Sequence, residues 1–224
     1  KELLNYTKRC FLSLRNLHSL ANIKFCKNSL KEVYLNKTIE RLNLVINLLP
    51  SQSKTLIINN KKCKNLIAFN NWRSILSEIF LKIHKVKFFT PIHGDPTFSN
   101  NLIRNNNEIC HIDPRGYFYK TEIFGDPRYD FAKLLYSVKG GYDFFNKKLF
   151  EYKVNGNVYE YKLWRSEDLF FPSIQWLENN LDNLNEIKIL HALIWLSLTG
   201  YCLDDYDSIV LSYIIGCEYL DPFF

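Results

Sequence analysis

Apolar residues recur every three to four positions along LLNYTKRCFLSLRNLHSL (3–20), which predicts an amphipathic helix. The same period returns at about Leu35 to Leu49, where Pro50 closes it. It appears again in NNWRSILSEIFLKIHKV (70–86), with Trp72, Ile75, Ile79, Leu81 and Ile83 as the expected core face. Residues 53–69, SKTLIINNKKCKNLIAF, fit a short hairpin and a loop equally well. Three short strand-like runs follow, FFTPI (88–92), NNLI (100–103) and EICHID (108–113), with the turn-forming RNNN between the last two.

GDPRYDFAKLLYSV (125–138) predicts a helix with Asp126 at its N-cap and Pro127 in the first turn, where a missing N–H costs nothing. FEYKVNGNVYEYKLW (150–164) predicts a hairpin around Asn155-Gly156, and residues 173–224 predict three helices. No repeat or long linker interrupts the chain, so the expectation is an α+β protein with a single domain over 1–224.

Composition narrows the class. At 224 residues with 47% hydrophobic positions, the chain is long enough for a sizeable core and reads as globular. Its most apolar stretch, ILHALIWLSLTGYCL (189–203), is short and carries His, Ser and Thr, which predicts a buried helix and no membrane span. The six cysteines form no CxxC pair or Cys/His cluster, so reduced, buried thiols and a cytoplasmic location are expected. The chain begins with Lys1, contains no methionine, and is expected to belong to a longer protein.

The net charge of +6 is unevenly spread: residues 1–90 carry 17 Lys and Arg against 4 Glu, and residues 91–224 carry 12 against 19 acidic residues. The early lysines are dispersed along helices whose other faces are apolar, which describes a solvated face, and a nucleic-acid partner is not expected. The acidic second half offers ligands for a metal or a positively charged substrate.

The chemistry-bearing residues concentrate in PIHGDPTFSN (91–100) and its surroundings, with motif core 88–139. Asp95 sits in a loop after an apolar run, Asn100 follows five residues later, and Asp113 lies two short strands beyond. A carboxylate in a rigid loop can meet a hydroxyl at hydrogen-bond distance and take its proton. Hard oxygen donors across a short hairpin suit Mg²⁺, which tolerates little error in geometry.

HGDPTFSNNLI, CHIDPRG and IFGDPRYDFAKLL together resemble the aminoglycoside phosphotransferase and choline kinase group, small-molecule kinases with a protein-kinase-like fold. The resemblance implies the C-terminal lobe of that fold, with Asp95 as catalytic base and Asn100 and Asp113 as Mg²⁺ ligands. It also implies that Asp130 braces the catalytic loop, with His93 bonding loop backbone groups. LSLRNLHSL looks like a helix of the same lobe. The implied activity is transfer of the γ-phosphoryl group of ATP to a hydroxyl of a small metabolite, a sugar, amino sugar or amino alcohol. The IDPRG and GDPRYDFAK variants further resemble kinase-like modules of bacterial surface-polysaccharide precursor synthesis.

The departures from the pattern are as informative. Pro96 replaces the usual leucine after the base, and Pro114-Arg115-Gly116 replaces the usual large apolar residue after the metal-binding aspartate. Arg115 is a candidate for contact with a phosphate or anionic substrate, or a plain surface residue. All eight glycines fall at or after position 94, so no glycine-rich phosphate loop precedes the catalytic loop, and no VAIK-like strand is present. The N-terminal lobe is therefore expected either upstream or lost, the chain alone is expected to be inactive, and a pseudokinase or regulatory module is the alternative. Tyr117, Phe118 and Tyr119 line an acceptor pocket or pack in a core. Asp204 and Asp205, with Asp207, form either a site for a cationic acceptor or the solvated start of a helix.

Overall fold

A computed structural model describes all of residues 1–224. The protein is α+β, largely helical with short strands, and it divides into two units, each discontinuous in sequence. One comprises Lys1–Ser29, Val86–Lys148 and Trp164–Ile187. The other comprises Leu30–Lys85, Leu149–Leu163 and Lys188–Phe224.

The first unit is organised by three helices, α1 (Glu2–Ser19), α5 (Pro127–Val138) and α7 (Glu167–Asn180). Helix α1 buries Thr7, Cys10, Phe11 and Leu14, the face its 3–4 period marks, and packs on α5 and α7. Phe11 meets Phe131 of α5 at 5.2 Å between ring centroids and Trp176 of α7 edge-on at 5.4 Å. Helix α5 is enclosed almost all round, and Asp126 caps it as the sequence predicts, accepting the Arg128 N–H. Helix α7 starts at Glu167, earlier than the expected 173, and carries Pro172 inside.

Around these helices lie two minimal sheets. Strand β3 (Thr90–Pro91) pairs with β6 (Phe124–Gly125), and β4 (Asn101–Ile103) pairs antiparallel with β5 (Ile109–His111). The run FFTPI thus contributes only two strand residues, with Phe89 bridging to Ile23. Helix α6 (Tyr142–Asn146) follows α5.

The second unit centres on a four-stranded mixed sheet built from two hairpins. Residues 53–69 resolve as the hairpin β1 (Thr55–Ile58) and β2 (Lys61–Lys64). Its two-residue turn, Asn59-Asn60, has both φ angles positive, 46° and 66°, and asparagine is the residue besides glycine that tolerates this best. The predicted hairpin β7 (Phe150–Asn155) and β8 (Val158–Leu163) forms around Asn155-Gly156, and β8 joins β1 in parallel.

The helix expected at 35–49 begins earlier. It runs through α2 (Lys27–Leu30), a π-helical stretch (Lys31–Asn36), α3 (Lys37–Val45) and a 3₁₀ turn (Ile46–Leu48). Helix α4 (Trp72–Leu81) buries Trp72, Leu76, Ile79 and Phe80. Leu81, an expected core residue, is exposed because the helix ends there and its face turns outward. Helices α8 (Leu184–Leu198) and α9 (Tyr206–Leu220) complete the expected three, and α9 is buried along most of its length. No helix is long and apolar enough to cross a membrane. All six cysteines are free; Cys10, Cys63 and Cys217 are buried, and Cys26, Cys110 and Cys202 are half-exposed.

Candidate active site

The residues singled out between 93 and 130 meet in the first unit. Asp130, wholly buried in α5, accepts the backbone N–H of His93 at 2.8 Å on Oδ2 and that of Gly94 at 2.7 Å on Oδ1. A third donor, His18 Nε2 of α1, reaches Oδ2 at 2.9 Å. A buried carboxylate needs such donors, and here they fix the backbone on the two residues before Asp95.

His93 stiffens the same turn. Its Nδ1 accepts the Asp95 N–H at 3.2 Å, and its Nε2 donates to the Ile112 carbonyl at 2.9 Å, so both ring nitrogens of one neutral tautomer are satisfied. The Ile112 N–H in turn donates to Asn100 O at 3.0 Å, and the Arg115 N–H donates to His93 O at 2.8 Å. The segment holding Asp113 is therefore hydrogen-bonded to the 93–100 loop on both sides of that residue.

Gly94 is required by this close approach. Its φ is +81°, and a Cβ there would lie 2.7 Å from the Cβ of Arg115. Asp113 itself adopts φ +54° and is exposed, a left-handed conformation that aspartate tolerates better than most residues. Asn100 donates through Nδ2 to the Asp95 carbonyl at 2.9 Å, which leaves its amide oxygen for other use.

Asp95 meets a charged side chain from α5. Lys133 Nζ, from the next turn of α5 after Asp130, stands 3.0 Å from Asp95 Oδ1. That oxygen is shut off from solvent and forms an ion pair with Lys133, while the side chain as a whole is 38% exposed. Burial works against the Lys133 ammonium, but Tyr129, Asp95 and Tyr142 outweigh it and hold its pKa above the usual lysine value. The rings of Tyr136 and Tyr142, stacked 4.4 Å apart, lie 5.0 and 5.9 Å from Nζ.

The outer part of the loop is tied as well. Phe98 N–H donates to Ser137 Oγ at 3.0 Å, and Ser99 N–H donates to Asp143 Oδ1 at 2.9 Å. On the β4–β5 hairpin, His111 bridges Ser13 Oγ, at 2.8 Å, and Asn101 Oδ1. Burial pushes the His111 ring below the usual histidine pKa.

Arg115 is partly engaged: its Nη1 donates to Tyr129 Oη at 3.0 Å, and its guanidinium lies 5.1 Å from the Tyr117 ring centroid. Phe118 is buried and meets Phe89 edge-on, while Tyr117 and Tyr119 are exposed. Asp204 and Asp205 belong to the second unit, apart from this cluster in the chain's division. Asp205 is the N-cap of α9, accepting Ser208 N–H at 3.1 Å and Ser208 Oγ at 2.7 Å, and Asp204 is exposed. Asp205 therefore serves as a helix cap, one of the two roles expected of that tract.

Sequence reasoning passed over Lys133 and His18. Tyr129, Lys133 and Tyr136 stand at i, i+4 and i+7 on α5, so a polar side chain on an otherwise buried helix was the available signal. His18 gave no such signal, because its partner is 112 residues away.

No group of three or more His, Cys, Asp or Glu side chains is arranged to hold a metal ion. Asn100 and Asp113 each carry a hard oxygen donor, the chemistry Mg²⁺ takes, on segments joined by the Ile112 N–H to Asn100 carbonyl hydrogen bond. The chain matches no family model, no curated protein and no solved structure.

Proposed function

We propose that the protein is an ATP-dependent phosphotransferase of protein-kinase-like C-terminal-lobe architecture, acting on a hydroxyl of a small metabolite. The observation that carries this reading is the double clamp of Asp130 on the His93 and Gly94 N–H groups, together with the backbone hydrogen bonds that tie the Asp95 loop to the segment bearing Asp113.

In this reading Asp95 orients the acceptor hydroxyl and takes its proton at the carboxylate. Asn100 and Asp113 would hold Mg²⁺ with the nucleotide, and the bound ion and ATP would supply the transferable phosphoryl group and neutralise charge on its oxygens. Asp130, His18 and His93 do no chemistry; they keep the loop from shifting, and a misplacement of about 1 Å can cost roughly a hundredfold in rate. Sugars, amino sugars and amino alcohols are the acceptor classes, with surface-polysaccharide precursor synthesis as a setting.

The test is a coupled ADP-release screen of the intact protein against sugars and amino alcohols with Mg²⁺, using Asp95→Asn as the control. Turnover that the substitution removes supports the assignment; turnover equal in the two proteins rules out Asp95 as base. The lack of any glycine before position 94 favours one second reading, a pseudokinase module that keeps the loop without turnover. That module would release no Mg²⁺-dependent ADP with any alcohol.

A further inference from the structure

We propose that Lys133 is a positioning residue for Asp95, holding the inner carboxylate oxygen so that the other faces the acceptor hydroxyl; this rests on the phosphotransferase reading above. The two oxygens of Asp95 stand in different surroundings. Oδ1 is out of solvent and has Lys133 Nζ at 3.0 Å, while the 38% exposure of the side chain falls on the rest of the group.

A carboxylate free to rotate about its last bond presents either oxygen and spends much of its time misaligned. An ammonium fixed beside one oxygen removes that freedom. Lys133 is itself fixed: it is 15% exposed, it arises from the middle of the buried α5, and the stacked rings of Tyr136 and Tyr142 flank its charge. The backbone of α5 thereby acts on the loop twice, through Asp130 on the main chain of residues 93 and 94 and through Lys133 on the side chain of residue 95.

A second consequence concerns charge. When Asp95 gains the acceptor proton its charge is lost, and Lys133 is left as an enclosed cation beside the newly formed phosphate ester. The proton moves from the acceptor oxygen to Asp95, the new P–O bond forms as the bond to ADP breaks, and Lys133 neither gains nor loses a proton.

The experiment is a double-substitution cycle on the intact protein with Lys133→Met, Lys133→Arg, Asp95→Asn and the Asp95→Asn/Lys133→Met pair. Turnover is read by ADP release, and folding by chemical denaturation. Expected are a kcat loss of at least about tenfold in Lys133→Met with the acceptor KM within about twofold, and recovery of most of it in Lys133→Arg. The losses from the two positions should fail to multiply in the pair, and denaturation should show coupling between them without any turnover being needed. Full kcat in Lys133→Met, or losses that multiply, would overturn the role of Lys133 while leaving the phosphotransferase reading in place. An Asp95→Asn protein as active as wild type would overturn that reading and this inference together.

Discussion

Asp130 Oδ1 accepts the Gly94 N–H at 2.7 Å from a position with no solvent exposure, which links the first turn of a buried helix to the tightest point of the Asp95 loop. Replacing Asp130 by Asn leaves one oxygen for three donors and turns an amide N–H toward one of them. The expected cost is about 2–4 kcal/mol of stability, read by urea denaturation, with turnover falling as the loop loosens. An Asp130→Asn protein as stable as wild type would show that the clamp is dispensable.

Gly94→Ala meets two obstacles, the positive φ and the Arg115 Cβ 2.7 Å away. Together these should cost about 2–4 kcal/mol. Adding Arg115→Gly relieves the clash and leaves the backbone strain, so it should restore part of the loss and no more, as measured by the denaturation midpoint.

In the second unit, Tyr213 Oη donates to Asn65 Oδ1 at 2.6 Å and accepts the Ile67 N–H at 3.1 Å, and Asn65 Nδ2 donates to the Pro50 and Ser53 carbonyls. Tyr213→Phe leaves a buried N–H and a buried amide oxygen without this partner. A loss of about 1–3 kcal/mol is expected. Because both partners lie outside the Asp95 cluster, turnover per folded molecule should not change.

The thiols give a prediction in pH. Burial pushes Cys10 and Cys217 each from 9.0 up to about 12. The folded state thus keeps protons that the unfolded state releases above about 9, so this contribution is full below pH 9 and is lost as pH rises toward 12. Stability should fall by up to about 1.4 kcal/mol per pH unit for each thiol over that window, and Cys10→Ala should flatten the slope. At pH 8, iodoacetamide should reach the half-exposed Cys26, Cys110 and Cys202 first, with Cys10 and Cys217 labelled only on unfolding.

Much of this architecture was legible where the signal was local. Asn155-Gly156 announced its hairpin through turn chemistry, and Asp126-Pro127 announced the start of α5 through capping. The 93–100 turn was legible from its residue spacing, and only its inner bonds, Asp95 N–H to His93 and Asn100 to the Asp95 carbonyl, are local; its anchors on Asp130, Ser137 and Asp143 are not. Non-local features left no local pattern. The parallel pairing of Ile57 with Val158 closes a sheet across about a hundred residues, and the Lys133 to Asp95 pair joins a helix to a loop. The early start of the second helix was hidden because KNSLKEVYLN (27–36) passes through a π-helical stretch, which breaks the 3.6-residue period. The expected start at 173 missed the first turns of α7, which begins at Glu167 and runs through Pro172.

The central claim is that Asn100 and Asp113 together hold Mg²⁺ with a nucleotide beside Asp95. Calorimetric titration of the intact protein with ATP, with and without Mg²⁺, tests it without knowledge of the acceptor. The account predicts binding that needs Mg²⁺ and weakens at least about tenfold in Asp113→Ala and in Asn100→Ala. Nucleotide affinity that ignores Mg²⁺ and both substitutions would contradict it.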